Sequence, residues 1–257
     1  MKHLKVSIAN QIQTVMLSRP EKRNAFNPQM IAELTEVFED VDLKKVRAIV
    51  LSGEGESFCA GGDVDWMKSM AKFTMKENRR DSEKLFDMYE TVQHCPVPVI
   101  GRAQGHAMGG GLGLLAVCDI VAAESFTKFC FSEVRLGIAP AVISSFVLER
   151  VQPNKAREWM LTAKIFNAEE ALDAGLIHFR GSVEQTERFV NETVALLLQA
   201  GPEAVVATKK LLRYLIENPR KNYRKHCTTL ISERRASKEG QAGLKSFLEK
   251  KPAPWVK

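Results

Sequence analysis

The sequence lacks the features of a disulfide-bonded, metal-binding or membrane-spanning protein. Its five cysteines are odd in number, scattered and never spaced as CxxC, which indicates reduced thiols rather than a disulfide or zinc framework. Its five histidines are equally dispersed, so we predict no metal site. No long apolar run and no signal-peptide pattern occurs at the start of the chain, so we expect no membrane span and a cytoplasmic location.

Internal repeats and low-complexity segments are also absent. The 257 residues suffice for one large domain with a substantial core, and the composition is ordinary for a globular protein. The formal net charge of +6 suits a polyanionic partner. Charge alone leaves two kinds of partner open, a nucleic acid or a phosphorylated cofactor.

Glycine is concentrated in residues 97–133, the stretch around which the rest of the chain is organised. Its pattern predicts a short strand, a glycine loop, a short helix, a second strand and then Glu133. The three consecutive glycines at 109–111 need a reason, because glycine weakens a helix. One reason is access, since glycine lets a ligand approach the unpaired N–H groups of a first helical turn, which attract anions.

Three interpretations of this glycine loop compete. It could be a close packing contact between a helix and a strand. The run 111–116 also fits the GxGxxA dinucleotide fingerprint, with Glu133 as the ribose acid. However, the strand-like residues 119–123 follow too soon for the crossover helix of that motif. We therefore favour N–H donors for a developing oxyanion.

A second glycine-bearing turn, Gly61–Gly62, follows an apolar strand predicted at residues 46–51. If the strands that precede the two turns are neighbours in one sheet, each turn could point one N–H at the same atom. Acyl-group chemistry uses such a pair of donors. A basic loop at residues 19–23 becomes relevant only if a phosphate site lies beside it.

The remaining pattern alternates strands and helices up to about residue 182. Residues 64–83 have weak periodicity and are interpreted as a mobile lid over an apolar cavity containing Trp66, with surface packing as the alternative. The other predicted elements before residue 182 are a hairpin (4–8 and 12–17), a helix capped by Asn27 (30–41), a helix (85–92), a loop (134–145), two helices (151–161 and 168–174) and a strand (176–179).

Beyond residue 182 the strand pattern stops and only helices are predicted. Four helices are expected, at residues 183–199, 203–217, 223–238 and 241–250. The chain therefore divides into a core at 1–182 and a helical region at 183–257 that belong to one functional unit.

Five motifs occur in a specific order along the chain. They are FCAGGD, GHAMGGGLGLLAVCDI, FCFSEVRLGIAP, LTAKIFNAEEALDAGLI and FLEKKPAPW. Together they resemble the crotonase superfamily, the enoyl-CoA hydratases and isomerases, from residue 4 to the C-terminus. The resemblance implies an α/β fold with a ββα spiral core, a C-terminal helical trimerisation region, and a homotrimer or dimer of trimers. It also implies an enzyme of fatty-acid metabolism that acts on an acyl-CoA thioester and needs no further cofactor.

The resemblance also assigns the catalytic groups. Gly62 and Gly110 would supply the two oxyanion N–H groups, and Glu133 matches the second of the two glutamates that family hydratases use. At the position of the first glutamate this chain has Gly113, which has no side chain to act. This departure argues against ordinary two-glutamate hydration of a straight-chain enoyl-CoA.

The segments GGDVDWM and SEVRLGIAPAVIS are similar to those of bacterial methylglutaconyl-CoA or related branched enoyl-CoA hydratases. We therefore expect hydration of a branched 2-enoyl-CoA through a single glutamate, as in leucine degradation. The alternatives are a double-bond isomerase, which often works with one acid, and a non-catalytic acyl-CoA-binding member. A nucleic-acid-binding protein that uses the basic helices at 209–235 is a further alternative, although solvated helix faces explain those charges better.

Substrate-binding roles are predicted for eight residues. They are Arg23, Ala25, Ala60, Asp63, Trp66, Gly113, Arg135 and Lys250. Arg135 could pair with a substrate carboxylate or with a nearby acid. Glu133 would act as the proton shuttle if the apolar neighbours Phe129, Phe131, Val134 and Leu136 raise its pKa by desolvation. The alternative for Glu133 is a surface acid paired with Arg135.

Overall fold

The computed structural model describes residues 1–256. It begins with the expected hairpin, in which β1 (Leu4–Ala9) pairs antiparallel with β2 (Ile12–Leu17). Asn10 and Gln11 form the two-residue turn, and both have positive φ, at 50° and 65°. Turns of this kind match the twist of the strands they join. Along β2 the buried and half-buried residues alternate, so one face of the strand lies on the core.

The hairpin opens a six-stranded sheet whose order is β1-β2-β3-β4-β6-β9, parallel from β2 onward. The other four strands of this sheet are β3 (Ala48–Gly53), β4 (Val99–Ala103), β6 (Ile120–Glu124) and β9 (Phe179–Gly181). A second sheet contains β5 (His106–Met108), β7 (Lys128–Cys130) and β8 (Phe166–Asn167). A single parallel bridge between Cys59 and Ala107 links the chain after β3 to this second sheet. The α/β architecture is therefore as predicted.

Eleven α-helices accompany the sheets within residues 1–256. Those before residue 182 are α1 (Pro28–Glu39), α2 (Val64–Met70), α3 (Met75–Gln93), α4 (Gly110–Ala116), α5 (Ala141–Leu148), α6 (Pro153–Thr162) and α7 (Ala168–Asp173). The last four are α8 (Val183–Gln199), α9 (Pro202–Glu217), α10 (Tyr223–Ala236) and α11 (Lys238–Leu248). These four helices match the predicted ones closely, while the division of the chain at residue 182 stays a prediction.

Three of the predicted elements have wrong bounds. Residues 64–83 contain α2 and the first part of α3, and their role as a lid stays a prediction. Thr74 and Glu77 form a capping box that starts α3 well before residue 85. The predicted loop at 134–145 contains a 3-10 turn (Glu133–Leu136) and the start of α5. The strand expected from residue 176 begins only at Phe179, since Leu176 and Ile177 are buried outside any strand.

The main core lies between the large sheet and helices α1 to α7, and it positions the glycine loops. Trp159 stacks on Phe166 with ring centroids 3.6 Å apart, and Phe166 stacks on Phe129 at 5.5 Å. These rings fix β7 against α6, directly before Glu133. Within residues 1–256, no helix has both the length and the apolar character that crossing a bilayer requires.

Candidate active site

The first candidate donor is the N–H of Gly62, in the turn between β3 and α2. The Phe26 N–H donates to the Gly61 carbonyl at 2.7 Å, and the Asp63 N–H donates to the Phe26 carbonyl at 2.8 Å. This is parallel pairing, in which alternate residues of one strand bond to the partner. The Gly62 N–H therefore points away from Phe26 and is left for another acceptor.

The second candidate donor is the N–H of Gly110, the first residue of α4. The preceding Gly109 has φ 47° and ψ −118°, a conformation that glycine adopts readily and other residues avoid. Its own N–H is bound to the Cys130 carbonyl at 2.8 Å. The Gly110 N–H belongs to the first turn of α4, where backbone donors have no partner within the helix.

The two turns lie against each other. The strand directly before the Gly109–Gly110 turn is β5, and the parallel bridge between Cys59 and Ala107 joins it to the residues before Gly61. A Cβ placed on Gly61 would lie 3.0 Å from the Met108 carbonyl oxygen and 4.0 Å from the Gly109 Cα. Phe26 contacts both turns, because it pairs with Gly62 and its ring lies 3.1 Å from a Cβ placed on Gly110. The geometry is compatible with an oxyanion hole.

Glu133 lies at the same turn of α4. Its Oε1 is 3.1 Å from a Cβ placed on Gly109, and its Oε2 is buried without a hydrogen-bond partner among residues 1–256. Burial raises the pKa of this carboxyl above its ordinary value, because the charged form loses water. An unpaired carboxyl with a raised pKa is suited to accepting and returning a proton.

The alternative of a surface acid paired with Arg135 is wrong. Arg135 instead donates to the Ala163 carbonyl at 2.7 Å, at the C-terminal end of α6. Of the apolar neighbours expected to desolvate Glu133, Phe129 and Phe131 are buried. The other two, Val134 and Leu136, are 37% and 59% exposed and do not form a buried wall.

Gly113 has no open space beside it. A Cβ at this position would lie 2.5 Å from Cγ2 of Ile143, on α5, and 3.0 Å from Cζ of Tyr89, on α3. Side chains of two neighbouring helices therefore fill the volume into which a first glutamate would project. This packing does not support a substrate contact at Gly113.

Asp63, for which a substrate-binding role is predicted, has both carboxylate oxygens engaged within the protein. Its carboxylate forms a buried ion pair with Arg19 at 2.7 Å and caps α2 through the Asp65 N–H at 2.8 Å. Arg19 also donates to the Ala25 carbonyl at 2.7 Å. Two of the three cations in the basic loop are therefore engaged, because Lys22 pairs with Asp65 at 3.0 Å. Arg23 is exposed and has no ion pair among residues 1–256.

The other predicted substrate residues fall into two groups. Ala60 and Trp66 lie near the Gly62 turn, since the Ala60 N–H donates to the Arg23 carbonyl and Cε3 of Trp66 is 3.9 Å from a Cβ placed on Gly62. Ala25 is buried beside the same loop. Lys250 is exposed after the end of α11, and no contact of the described chain brings it to the glycine turns.

Reasoning from the sequence missed four residues that shape the site. Three of them pack against the glycines, namely Phe26, Tyr89 and Ile143, and the fourth is Arg19, whose buried pairing was not foreseen. All four act through contacts between distant parts of the chain. No local pattern marks them, although Tyr89 falls within the helix predicted at residues 85–92.

Replacing Asp63 with Asn is expected to destabilise the protein by about 3–5 kcal/mol, because it leaves the Arg19 charge buried without its partner. Equilibrium unfolding in urea measures the loss. Burial alone would raise the pKa of Asp63, but hydrogen bonds from Arg19 and the Asp65 N–H hold it below its ordinary value. The stabilisation is therefore present above the pKa of the unfolded state and is lost as pH falls through the folded-state pKa.

The matched control is Asp65→Asn, which breaks the exposed pair with Lys22 and should change the unfolding free energy little. Equal effects of the two substitutions would contradict the role given to the buried pair.

Comparison with known proteins identifies the family of the chain. The enoyl-CoA hydratase/isomerase family matches residues 7–257. An enoyl-CoA hydratase structure from Shewanella pealeana is 33% identical, with a TM-score of 0.92 over 98% of this chain and 96% of that one. Pseudomonas aeruginosa AtuE is 31% identical, with a TM-score of 0.96 over 99% and 100% of the two chains. An enoyl-CoA hydratase of Alternaria alternata is 33% identical over 77% of this chain and 65% of its own. With this match along almost its whole length, the chain belongs to the enoyl-CoA hydratase/isomerase family of enzymes and has the crotonase fold.

Proposed function

We propose that the protein hydrates a branched 2-enoyl-CoA of the methylglutaconyl-CoA kind, with Glu133 as its only acid–base carboxyl. The observation that carries the proposal is the position of this carboxyl, 3.1 Å from a Cβ placed on Gly109, the N-cap residue of α4. Its burial and raised pKa support the same role. The likeness of GGDVDWM and SEVRLGIAPAVIS to branched enoyl-CoA hydratases supports the substrate class.

The proposed reaction starts with the thioester carbonyl oxygen between the N–H groups of Gly62 and Gly110. Glu133 takes a proton from water as the water oxygen bonds to the β carbon, and the double-bond electrons become enolate charge on the carbonyl oxygen. The two N–H groups stabilise that charge, and one such donor is typically worth roughly 3 to 4 kcal/mol. Glu133 then returns the proton to the α carbon, so the net change is the addition of one water.

Double-bond isomerisation is the second candidate, and the packing around Gly113 favours it. Ile143 and Tyr89 fill the space in which a second carboxyl would stand. A single carboxyl can take a proton from the α carbon of a 3-enoyl-CoA and return it to the γ carbon, which gives the 2-enoyl-CoA without any water. The two reactions therefore share Glu133 and the oxyanion hole and differ in product.

A panel of acyl-CoA esters separates the candidates. Hydration of methylglutaconyl-CoA is expected, detected by mass spectrometry as the gain of one water. Conversion of a 3-enoyl-CoA without a change of mass would favour the isomerase instead. Titration calorimetry with acetoacetyl-CoA tests the shared premise, and absence of binding at millimolar ligand would contradict an enzyme acting on CoA thioesters.

The alternative of nucleic-acid binding is weakened by ion pairs within the basic helices. Lys209 pairs with Asp119 at 2.6 Å, and Arg213 pairs with Glu149 at 2.8 Å. A third cation of these helices is also engaged with an acid. Fewer charges of this surface are therefore available to phosphates than the sequence indicates.

We also propose that the chain assembles as a homotrimer or a dimer of trimers. Large apolar side chains on the last four helices are exposed, including Leu196, Leu212, Ile216, Phe247 and Leu248. Exposed apolar surface of this kind marks an interaction site. Light scattering at micromolar protein should give three or six times the chain mass of 28.8 kDa. A mass of one chain would contradict the proposal.

A further inference from the structure

The first turn of α4 has little of its own to hold it in place. The helix has only seven residues, and its N-cap Gly109 makes no side-chain hydrogen bond. Glycines at 109, 110, 111 and 113 add conformational freedom and no side-chain packing. A short helix of this composition is not stable by itself. An oxyanion donor must nevertheless be pre-oriented to be effective, so other parts of the chain have to fix this turn.

Tyr89 provides such a contact from α3. Its side chain is fully buried, and its hydroxyl donates to the Gly110 carbonyl at 2.8 Å. The hydroxyl oxygen lies 3.0 Å from a Cβ placed on Gly110, and Cζ lies 3.0 Å from a Cβ placed on Gly113. Because Gly110 and Gly113 are three residues apart, they lie on one face of α4, and the phenol end lies along that face.

Cys59 packs against the same turn at Gly111. A Cβ placed on Gly111 would lie 2.7 Å from the Cys59 carbonyl oxygen and 2.8 Å from its Cβ. Three glycines of the loop are thus required by close contacts with Tyr89 and Cys59. Packing, as well as ligand access, therefore accounts for glycine at positions 110, 111 and 113.

We propose that Tyr89 is a positioning residue for the oxyanion hole, in which its hydroxyl holds the first turn of α4 so that the Gly110 N–H faces the thioester oxygen. The inference rests on the proposed function for its catalytic consequence. The hydroxyl stays a donor throughout the working pH range, because burial, with the nearby Cys59 and Glu133, raises the pKa of Tyr89 well above its ordinary value. Within residues 1–256, the Gly110 carbonyl is the hydrogen-bond partner of this hydroxyl.

The test is Tyr89→Phe, which keeps the ring and removes only the hydroxyl. We expect kcat to fall about tenfold, less than the roughly 100-fold that loss of an oxyanion donor causes, with KM changed little. The acid limb of the pH profile of kcat/KM should stay in place. Tyr223→Phe is the matched control, since the Tyr223 hydroxyl also donates to a backbone carbonyl, that of Leu215 in the C-terminal helices.

Amide hydrogen exchange of residues 109–116 is measured on the same variants without substrate. Faster exchange in Tyr89→Phe than in Tyr223→Phe supports the proposal, even if the wild-type protein proves inactive on every thioester and the proposed function fails. Unchanged exchange overturns it. Unchanged kcat in an active enzyme also overturns it, as does a displaced acid limb, which would mean that Tyr89 acts on Glu133 instead.

Discussion

Glu133→Gln is expected to lower kcat at least about 100-fold on every thioester that the protein converts, while affinity for the thioester stays similar. The amide keeps the size of the carboxyl but cannot take up and return a proton. Gly113 supplies no second carboxyl, and Ile143 and Tyr89 fill the space beside it. Steady-state kinetics together with calorimetric affinity measures both quantities.

Glu36→Gln, on the exposed face of α1, is the control for this substitution and should leave kcat unchanged. Full activity of Glu133→Gln on every active substrate would contradict the mechanism. It would leave either a different base or catalysis by the oxyanion donors alone.

The pH dependence of the reaction follows from the burial of Glu133. Proton uptake requires the carboxylate, so kcat/KM should fall as pH falls through the pKa of Glu133, which burial places above the ordinary value of 4.5. The same shift opposes folding, because a raised folded-state pKa means that the charged form is destabilised once pH rises through that value. Glu133→Gln should therefore be at least as stable as the wild-type protein at neutral pH.

Gly113→Glu is expected to abolish activity and destabilise the fold, rather than restore a second catalytic carboxyl. Its Cβ would lie 2.5 Å from Cγ2 of Ile143, and the charge would be buried without a partner. Even Gly113→Ala should lower the unfolding free energy of the protein, although the same change in an unobstructed helix stabilises the helix by about 1 kcal/mol. The sign of the change in the unfolding free energy therefore reports the packing directly.

Ile143→Ala provides the matched test of this explanation. In the Ile143→Ala variant, Gly113→Ala should lower the unfolding free energy much less than it does in the wild-type protein. A double-mutant cycle of unfolding free energies measures the coupling between the two positions. Additive effects would contradict the proposed clash. An increase in crotonyl-CoA hydration by Gly113→Glu would instead show that the missing acid alone limits ordinary hydration.

Local signals in the sequence predicted much of the fold. Asn27 followed by Pro28 marks the start of α1, and the Asn27 side chain does accept from the Met30 N–H. The helices after residue 183 were recognised because glycine and proline separate amphipathic segments. The strands β5, β7 and β8 were missed, since two or three residues are too few to show alternation. Their pairing depends on tertiary contacts instead.

The candidate site was predictable only in part for the same reason. Gly62, Gly110 and Glu133 occur in recognisable motifs, and the structure brings their turns together. The partners that control those turns lie far away in the chain. Arg19 reaches Asp63 across 44 residues, and Tyr89 reaches Gly110 across 21. For this reason the basic loop at residues 19–23 suggested a phosphate site in the sequence, whereas in the structure Arg19 is buried in an ion pair with Asp63.

The bridge between Cys59 and Ala107, which joins the two sheets, bears on how the chain folds. The glycine turns at Gly61 and Gly109 each begin two residues after one partner of the bridge, and Glu133 follows β7, which pairs with β5 in the second sheet. Contacts between residues as far apart in the chain as Cys59 and Ala107 form slowly during folding, because the long segment between them must first be ordered. If the two glycine turns form the proposed oxyanion hole, a partly folded chain that lacks this bridge should not hold the donor pair in place, and we therefore expect it to have no activity on thioesters.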